Sequence, residues 1–188
     1  MKVIIINGSG GSGKDTIVKI LKTKLNDKFN IYNISTIDKV KEIARGMGWD
    51  GKKDERGRQF LADLKELWTD YNNGANEEVL SRICRLASDE EYETLGETLV
   101  FVHCREPFSI QWFVDMLAER NIDTHTMIVK REKIQEFFNE ADQGVTNYTY
   151  DTKFLNDYDY EELVIQCEEF ADLIRNWKHG TKFTSLIA

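Results

Sequence analysis

Near the start of the chain, Lys2 to Thr16 reads Lys-Val-Ile-Ile-Ile-Asn-Gly-Ser-Gly-Gly-Ser-Gly-Lys-Asp-Thr. The apolar, β-branched run Val3–Ile6 has the length of a buried strand and stops at a glycine-rich turn. Gly8, four residues, Gly13 and Lys14 match the phosphate-binding loop pattern, with Asp15 where Ser or Thr is usual. Each residue type has a physical reason. In the stretch Gly8, Gly10, Gly11, Ser12 and Gly13, the glycines let backbone N–H groups approach phosphate oxygens without a Cβ in the way. A helix from about Lys14, with Ile17, Ile20, Leu21 and Leu25 on one stripe, points its positive end at the same anion. Lys14 reaches the β- and γ-phosphates. Asp15 and Thr16 stand where a magnesium ion would be met, directly or through water. Strand before and helix after are the context this motif requires.

The rest of the chain supplies a frame for that loop. Strands are expected at Phe29–Ser35, Thr98–His103 and Thr124–Val129, with a weak fifth at Thr152–Leu155. Between them run amphipathic helices. One carries Val40, Ile43, Ala44 and Met47, capped by Thr36 or Asp38. Trp49–Gly57 reads as a charged loop, followed by a long helix with Phe60, Leu61, Leu64, Leu67, Trp68 and Tyr71 on one face. Asn72-Asn73-Gly74 breaks it, and Asn76 starts the next helix, with Val79, Leu80, Ile83, Leu86 and Ala87. Pro107 opens a helix with Ile110, Phe113, Val114 and Leu117. Lys130-Arg131-Glu132-Lys133 opens a charged one with Ile134, Phe137 and Phe138. Asn139–Tyr150 is polar and irregular, a lid-like loop. Asp157 or Asp159 caps the last helix, with Leu163, Cys167, Phe170, Ile174 and Trp177. Residues from His179 on carry no strong signal.

Alternating strands and helices predict an α/β chain, a parallel sheet covered on both faces. Ligands then gather at the carboxyl ends of the strands. The 188 residues suit one domain over 1–178, with a helical region at about 38–90, a lid at about 131–150 and a tail at 179–188. A net charge of −8 argues against a general nucleic-acid or anionic-membrane binder. No apolar run approaches a membrane span and no leader precedes the first strand, so a cytoplasmic protein is expected. Three dispersed cysteines, Cys84, Cys104 and Cys167, read as reduced thiols.

With its strands placed, the sequence resembles small P-loop kinases of the nucleoside-monophosphate-kinase-like group. Within that group it is most similar to the branch of phage deoxynucleoside monophosphate kinases and animal-type phosphomevalonate kinases. Those families share Gly-Lys-Asp at the loop. The run Arg105-Glu106-Pro107-Phe108-Ser109-Ile110-Gln111-Trp112-Phe113 is similar to their segment after the third strand. Weaker similarity covers Lys53–Leu67 and Asp151–Asn156. The resemblance implies a three-layer P-loop NTPase fold with a five-stranded parallel sheet and a small lid. It implies ATP with Mg2+, and transfer of the γ-phosphoryl group to a phosphate on a small acceptor, foremost a nucleoside monophosphate, by a monomer or homodimer. Arg58 falls where the family places an acceptor-side arginine, and its neighbour Arg56 suits the same work. Arg105 matches an arginine facing the transferred phosphate. Lys130, Arg131 and Lys133 match the basic start of the lid. Arg82 and Arg85 read as surface charges or carboxylate partners.

Two departures accompany the resemblance. His103 stands where the third strand usually ends in a magnesium-organising aspartate, and the segment after Lys133 is poor in arginine. A phosphomevalonate-type kinase and a nucleotide-binding sensor without catalysis are the alternative readings.

Overall fold

The computed structural model describes residues 1–88, 96–131, 148–157 and 159–187. The elements, in chain order, are β1 (Lys2–Asn7), α1 (Lys14–Leu25), β2 (Phe29–Ser35), α2 (Asp38–Gly46), α3 (Glu55–Asn72), α4 (Gly74–Ser88), β3 (Glu97–His103), α5 (Pro107–Ala118), β4 (Asp123–Lys130), β5 (Thr152–Leu155), α6 (Tyr160–Asn176) and β6 (Ser185–Ile187). The strands form one sheet in the order β2-β3-β1-β4-β5-β6. β1 sits at its centre, parallel to β3 through Ile6 opposite His103 and to β4 through Asn7 opposite Ile128. β5 runs parallel to β4 and β6. Strands buried on both faces explain why Val3 to Ile6 and Leu99 to Val102 read as unbroken apolar runs.

The sheet has six strands where five were expected. The extra strand, β6, lies in the tail and is only three residues long. Tertiary contacts hold it: Phe183 stacks on His125 with ring centroids 4.0 Å apart, and Ser185 Oγ meets Thr152 Oγ1 at 2.7 Å. No local periodicity announces such an edge strand.

The chain divides into two compact units, 1–33 with 89–188, and 34–88. In the first, Ile17, Leu21 and Leu25 of α1 join Ile4, Phe101, Val129, Phe154, Phe170 and Ile174 in one core. Burying each such side chain contributes ~1.5–3 kcal/mol. In the second, Val40, Ala44, Leu61 and Ala75 form a smaller core with Phe60, Leu64 and Trp68 against it.

Several helix starts differ from expectation. The charged stretch ending at Gly57 is a loop only as far as Asp54. The Asp54 carboxylate accepts from the Gly57 N–H at 2.8 Å and starts α3 at Glu55, so Arg56 and Arg58 stand on helix. Asn73 takes a left-handed turn at φ 57, and α4 begins directly at Gly74. Asn76 lies inside α4, fully buried, with its Nδ2 donating to Asn73 Oδ1 at 2.7 Å. Neither Thr36 nor Asp38 caps α2; Asp38 Oδ2 accepts from the Ser35 N–H instead. Asp159 caps α6 as expected, accepting from the Glu161 and Glu162 N–H groups at 3.0 Å. Leu67 and Tyr71, assigned to the apolar face of α3, are 69% and 84% exposed.

Candidate functional site

The carboxyl ends of β1, β3, β4 and β5 converge on the loop between β1 and α1. Gly8 at φ 144 and Gly13 at φ 97 take backbone conformations that L side chains avoid. A Cβ on Gly8 would strike the Val129 carbonyl of β4, and one on Gly13 would strike the Asn156 amide. Gly13 is the residue before α1, so the first N–H groups of that helix lie next to the loop.

Lys14 folds back over the loop. Its Nζ donates to the Gly8 carbonyl at 2.5 Å, the Ser9 carbonyl at 2.7 Å and Ser12 Oγ at 3.3 Å. An ammonium group, the N-terminal end of α1 and positive-φ glycines share one turn, a combination whose charge suits an anion. Ser12 is buried, while Gly10, Gly11, Asp15 and Thr16 are exposed.

Arg105 stands two residues beyond β3, and its Nη2 lies 4.0 Å from where a Gly10 Cβ would be. The structure therefore brings Arg105 to the loop. Arg131 directly follows β4, whose Val129 carbonyl abuts Gly8, and is exposed. Lys130 is half-buried. Lys133, with most of the expected lid and the charged helix before it, lies outside the described residues. Arg56 and Arg58 belong to the other unit, both exposed on the first turns of α3; Arg56 lines a shallow groove with Glu55, Gln59, Phe60 and Asp63. Arg82 lies 3.8 Å from Asp38 and Arg85 lies 4.0 Å from Glu78, the surface pairings expected of them.

His103 ends β3. Its Nε2 donates to Asn33 Oδ1 at 2.7 Å and lies 3.9 Å from Asp15 Oδ1. Among the described residues, no group of three or more His, Cys, Asp or Glu side chains could hold a metal on its own. Magnesium bound to nucleotide phosphates needs only one or two protein oxygens beside water. Asp15, with its side chain 95% exposed at the head of α1, and Thr16 beside it fit that demand.

Four residues at the site carried no motif. Asn7, fully buried at the end of β1, donates from Nδ2 to the Arg105 carbonyl at 2.9 Å and to the Tyr150 hydroxyl at 2.6 Å. Its Oδ1 accepts from the Gly8 N–H at 2.6 Å. Asn156, after β5, donates to the Ser12 carbonyl at 2.8 Å. Tyr150 and Asn33 are their counterparts on the neighbouring elements. Asn7 was detectable in principle: a polar residue closing an apolar strand must find hydrogen-bond partners. Cys84, Cys104 and Cys167 form no disulfide, and burial pushes the Cys167 thiol up to about 12.

No family model matches the chain. UPF0200 proteins from Saccharolobus islandicus and Saccharolobus solfataricus are 24% identical to it over 93% of its length and 94% of theirs. The structure of APS kinase CysC from Mycobacterium tuberculosis is similar over 93% of this chain and 97% of that one, at 18% identity and a TM-score of 0.50. That likeness is one of fold. Together with the strand order and the glycine loop, it makes this a three-layer P-loop NTPase fold. Among the described residues, no helix is long and apolar enough to cross a membrane.

Proposed function

We propose that the protein is an ATP- and Mg2+-dependent kinase that transfers the γ-phosphoryl group to a phosphate on a small acceptor, a nucleoside monophosphate first of all. The observation that carries this reading is the Arg105 guanidinium beside Gly10, on a loop that already gathers Lys14 and the start of α1. A guanidinium beside the loop adds a second positive charge, with a fork that suits a transferring phosphoryl group. An acceptor phosphate oxygen attacks the γ-phosphorus in line, the bond to the β–γ bridging oxygen breaks, and that oxygen leaves with ADP. Little covalent help is needed; charge and position suffice. Gly8, Gly10, Gly11, Ser12 and Gly13 hold the donor phosphates, Lys14 exchanges its loop carbonyls for phosphate oxygens, and Arg105 neutralises the group in transit. Arg131 adds charge from the end of β4. Arg56 and Arg58 take the acceptor phosphate. Asp15 and Thr16 would hold magnesium, which would supply neutralising charge to the nucleotide phosphates. We read 1–178 as one kinase-like domain working in the cytoplasm as a monomer or homodimer, within the deoxynucleoside monophosphate and phosphomevalonate kinase branch.

The test is a panel of nucleoside monophosphates and phosphorylated metabolites offered with Mg-ATP. Wild type should release ADP with at least one acceptor, well above a Lys14→Ala control. No ADP above that control with any acceptor refutes the reading. A phosphomevalonate-type enzyme would differ only in which acceptor responds. One observation favours a sensor without turnover: β3 ends in His103, held by Asn33, and not in a carboxylate. Calorimetry showing tight ATP or GTP binding with no transfer to any acceptor would establish that alternative.

A further inference from the structure

The Arg105 guanidinium must meet the same phosphate that the loop amides hold, yet Arg105 and the loop lie about a hundred residues apart in the chain. One side chain joins their backbones. Asn7 is fully buried, and its carboxamide is spent on three partners: the Gly8 N–H that opens the loop, the Arg105 carbonyl and the Tyr150 hydroxyl. Both Nδ2 hydrogens and Oδ1 are thereby engaged. The Arg105 carbonyl belongs to the peptide that leaves β3 for α5, whose first helical residue is Pro107. Fixing that carbonyl fixes the turn from which the arginine side chain extends toward Gly10.

Tyr150 completes the arrangement. It is buried, and burial pushes its phenol up to about 12, so the hydroxyl stays protonated. Six residues on, Asn156 donates to the Ser12 carbonyl at the far end of the loop. β5 and its flanks thus grip the loop at both ends, through Asn7 at Gly8 and through Asn156 at Ser12.

We propose that Asn7 and Tyr150 are positioning residues for Arg105, holding its backbone and the entry of the phosphate loop in one frame. The inference rests on the kinase reading for what Arg105 does, but not for the geometry. Tyr150→Phe removes one acceptor and keeps the ring. Asn7→Asp keeps the size but turns two donations into an acceptor facing the Arg105 carbonyl. The experiment is a double-mutant cycle of Tyr150→Phe with Arg105→Ala, read in both kcat and Mg-ATP affinity. Thermal melting in parallel restricts the comparison to folded protein.

Tyr150→Phe should lower kcat roughly three- to tenfold, the worth of one hydrogen bond, with KM for ATP changing less. In the Arg105→Ala background the same change should do almost nothing. Asn7→Asp should show the same coupling with a larger effect. If Tyr150→Phe costs the same with and without Arg105, or lowers the melting temperature with no change in kcat, the positioning role is wrong although the kinase reading stands. If wild type binds Mg-ATP but phosphorylates no acceptor, the kinase reading falls. The cycle is then decided on Mg-ATP affinity alone, where coupling supports the frame and additivity overturns it. If wild type binds no nucleotide, both fall.

Discussion

His125 offers a stability test whose size follows from its surroundings. Its ring is fully buried near the start of β4, stacked on Phe183 and flanked by Trp177 and Phe170. Nε2 meets Thr152 Oγ1 at 2.8 Å, while Nδ1 is buried without a hydrogen-bond partner. Burial lowers the imidazole from 6.5 to about 4; the Asp151 carboxylate, 4.0 Å from Nδ1, opposes this, and Lys182 adds slightly to it. The folded protein therefore binds this proton less readily than the unfolded chain. Between about pH 6.5 and pH 4 the unfolded state holds more protons, so stability is full above that window and falls as pH drops through it. The full amplitude is ~3 kcal/mol, of which about 2 kcal/mol is lost between pH 7 and pH 5.

The perturbation is His125→Gln, which removes the titration. Urea unfolding of wild type and variant at pH 5, 6, 7 and 8, followed by tryptophan fluorescence, gives two stability curves. Groups that do not face His125 act equally on both, so the difference between the curves isolates His125 together with its interaction with Asp151. Wild type should be the more stable at pH 8, and that margin should shrink by about 2 kcal/mol at pH 5. A constant difference across the range would show that His125 does not titrate on unfolding, and the burial argument would fail. Nucleotide binding at pH 8 should be unchanged in the variant, because His125 pairs with Ile4, well back along β1 from the loop.

Asn156→Ala should weaken Mg-ATP binding several-fold in calorimetry and cost ~1–3 kcal/mol in urea unfolding, since the buried Ser12 carbonyl loses its donor. Unchanged affinity would show that the loop keeps its shape without that bond. Tyr71→Ser, at an 84% exposed position of α3, should leave monomer stability within about 0.5 kcal/mol of wild type; a larger loss would place Tyr71 in a core.

The sequence announced the elements whose signal is local. β1, α1, β3 and α6 declare themselves through apolar period, a glycine turn or an aspartate cap, and they stand where those signals put them. The misplacements share a cause. α3 starts at Glu55 because the Asp54 carboxylate reaches the Gly57 N–H, a bond that Gly57, read as a loop residue, disguised. β6 exists because Phe183 and Ser185 find His125 and Thr152, partners distant in sequence. The same division holds at the site. Lys14 and the glycines belong to a contiguous motif. Asn7, Tyr150 and Asn156 act only through residues that the sheet brings to them, and a single asparagine has no periodicity to betray it.

Gly8 and Gly13 are usually credited with making room for phosphate. Here a Cβ at either position would first meet protein: the Val129 carbonyl in one case, the Asn156 amide in the other. The loop is thus closely packed from behind as well as open in front, and both demands select glycine. A Gly13→Ala variant that bound no nucleotide would mainly report a displaced Asn156 and a strained φ. It would say little about the anion. Charge is the cleaner probe. Lys14 is the first residue of α1, where the chain is already helical, and its ammonium contributes to the loop through three contacts that a phosphate could replace. Anion binding at this loop therefore depends less on the glycines than on the convergence of Lys14, the head of α1 and Arg105 on the open side of a loop braced from the other.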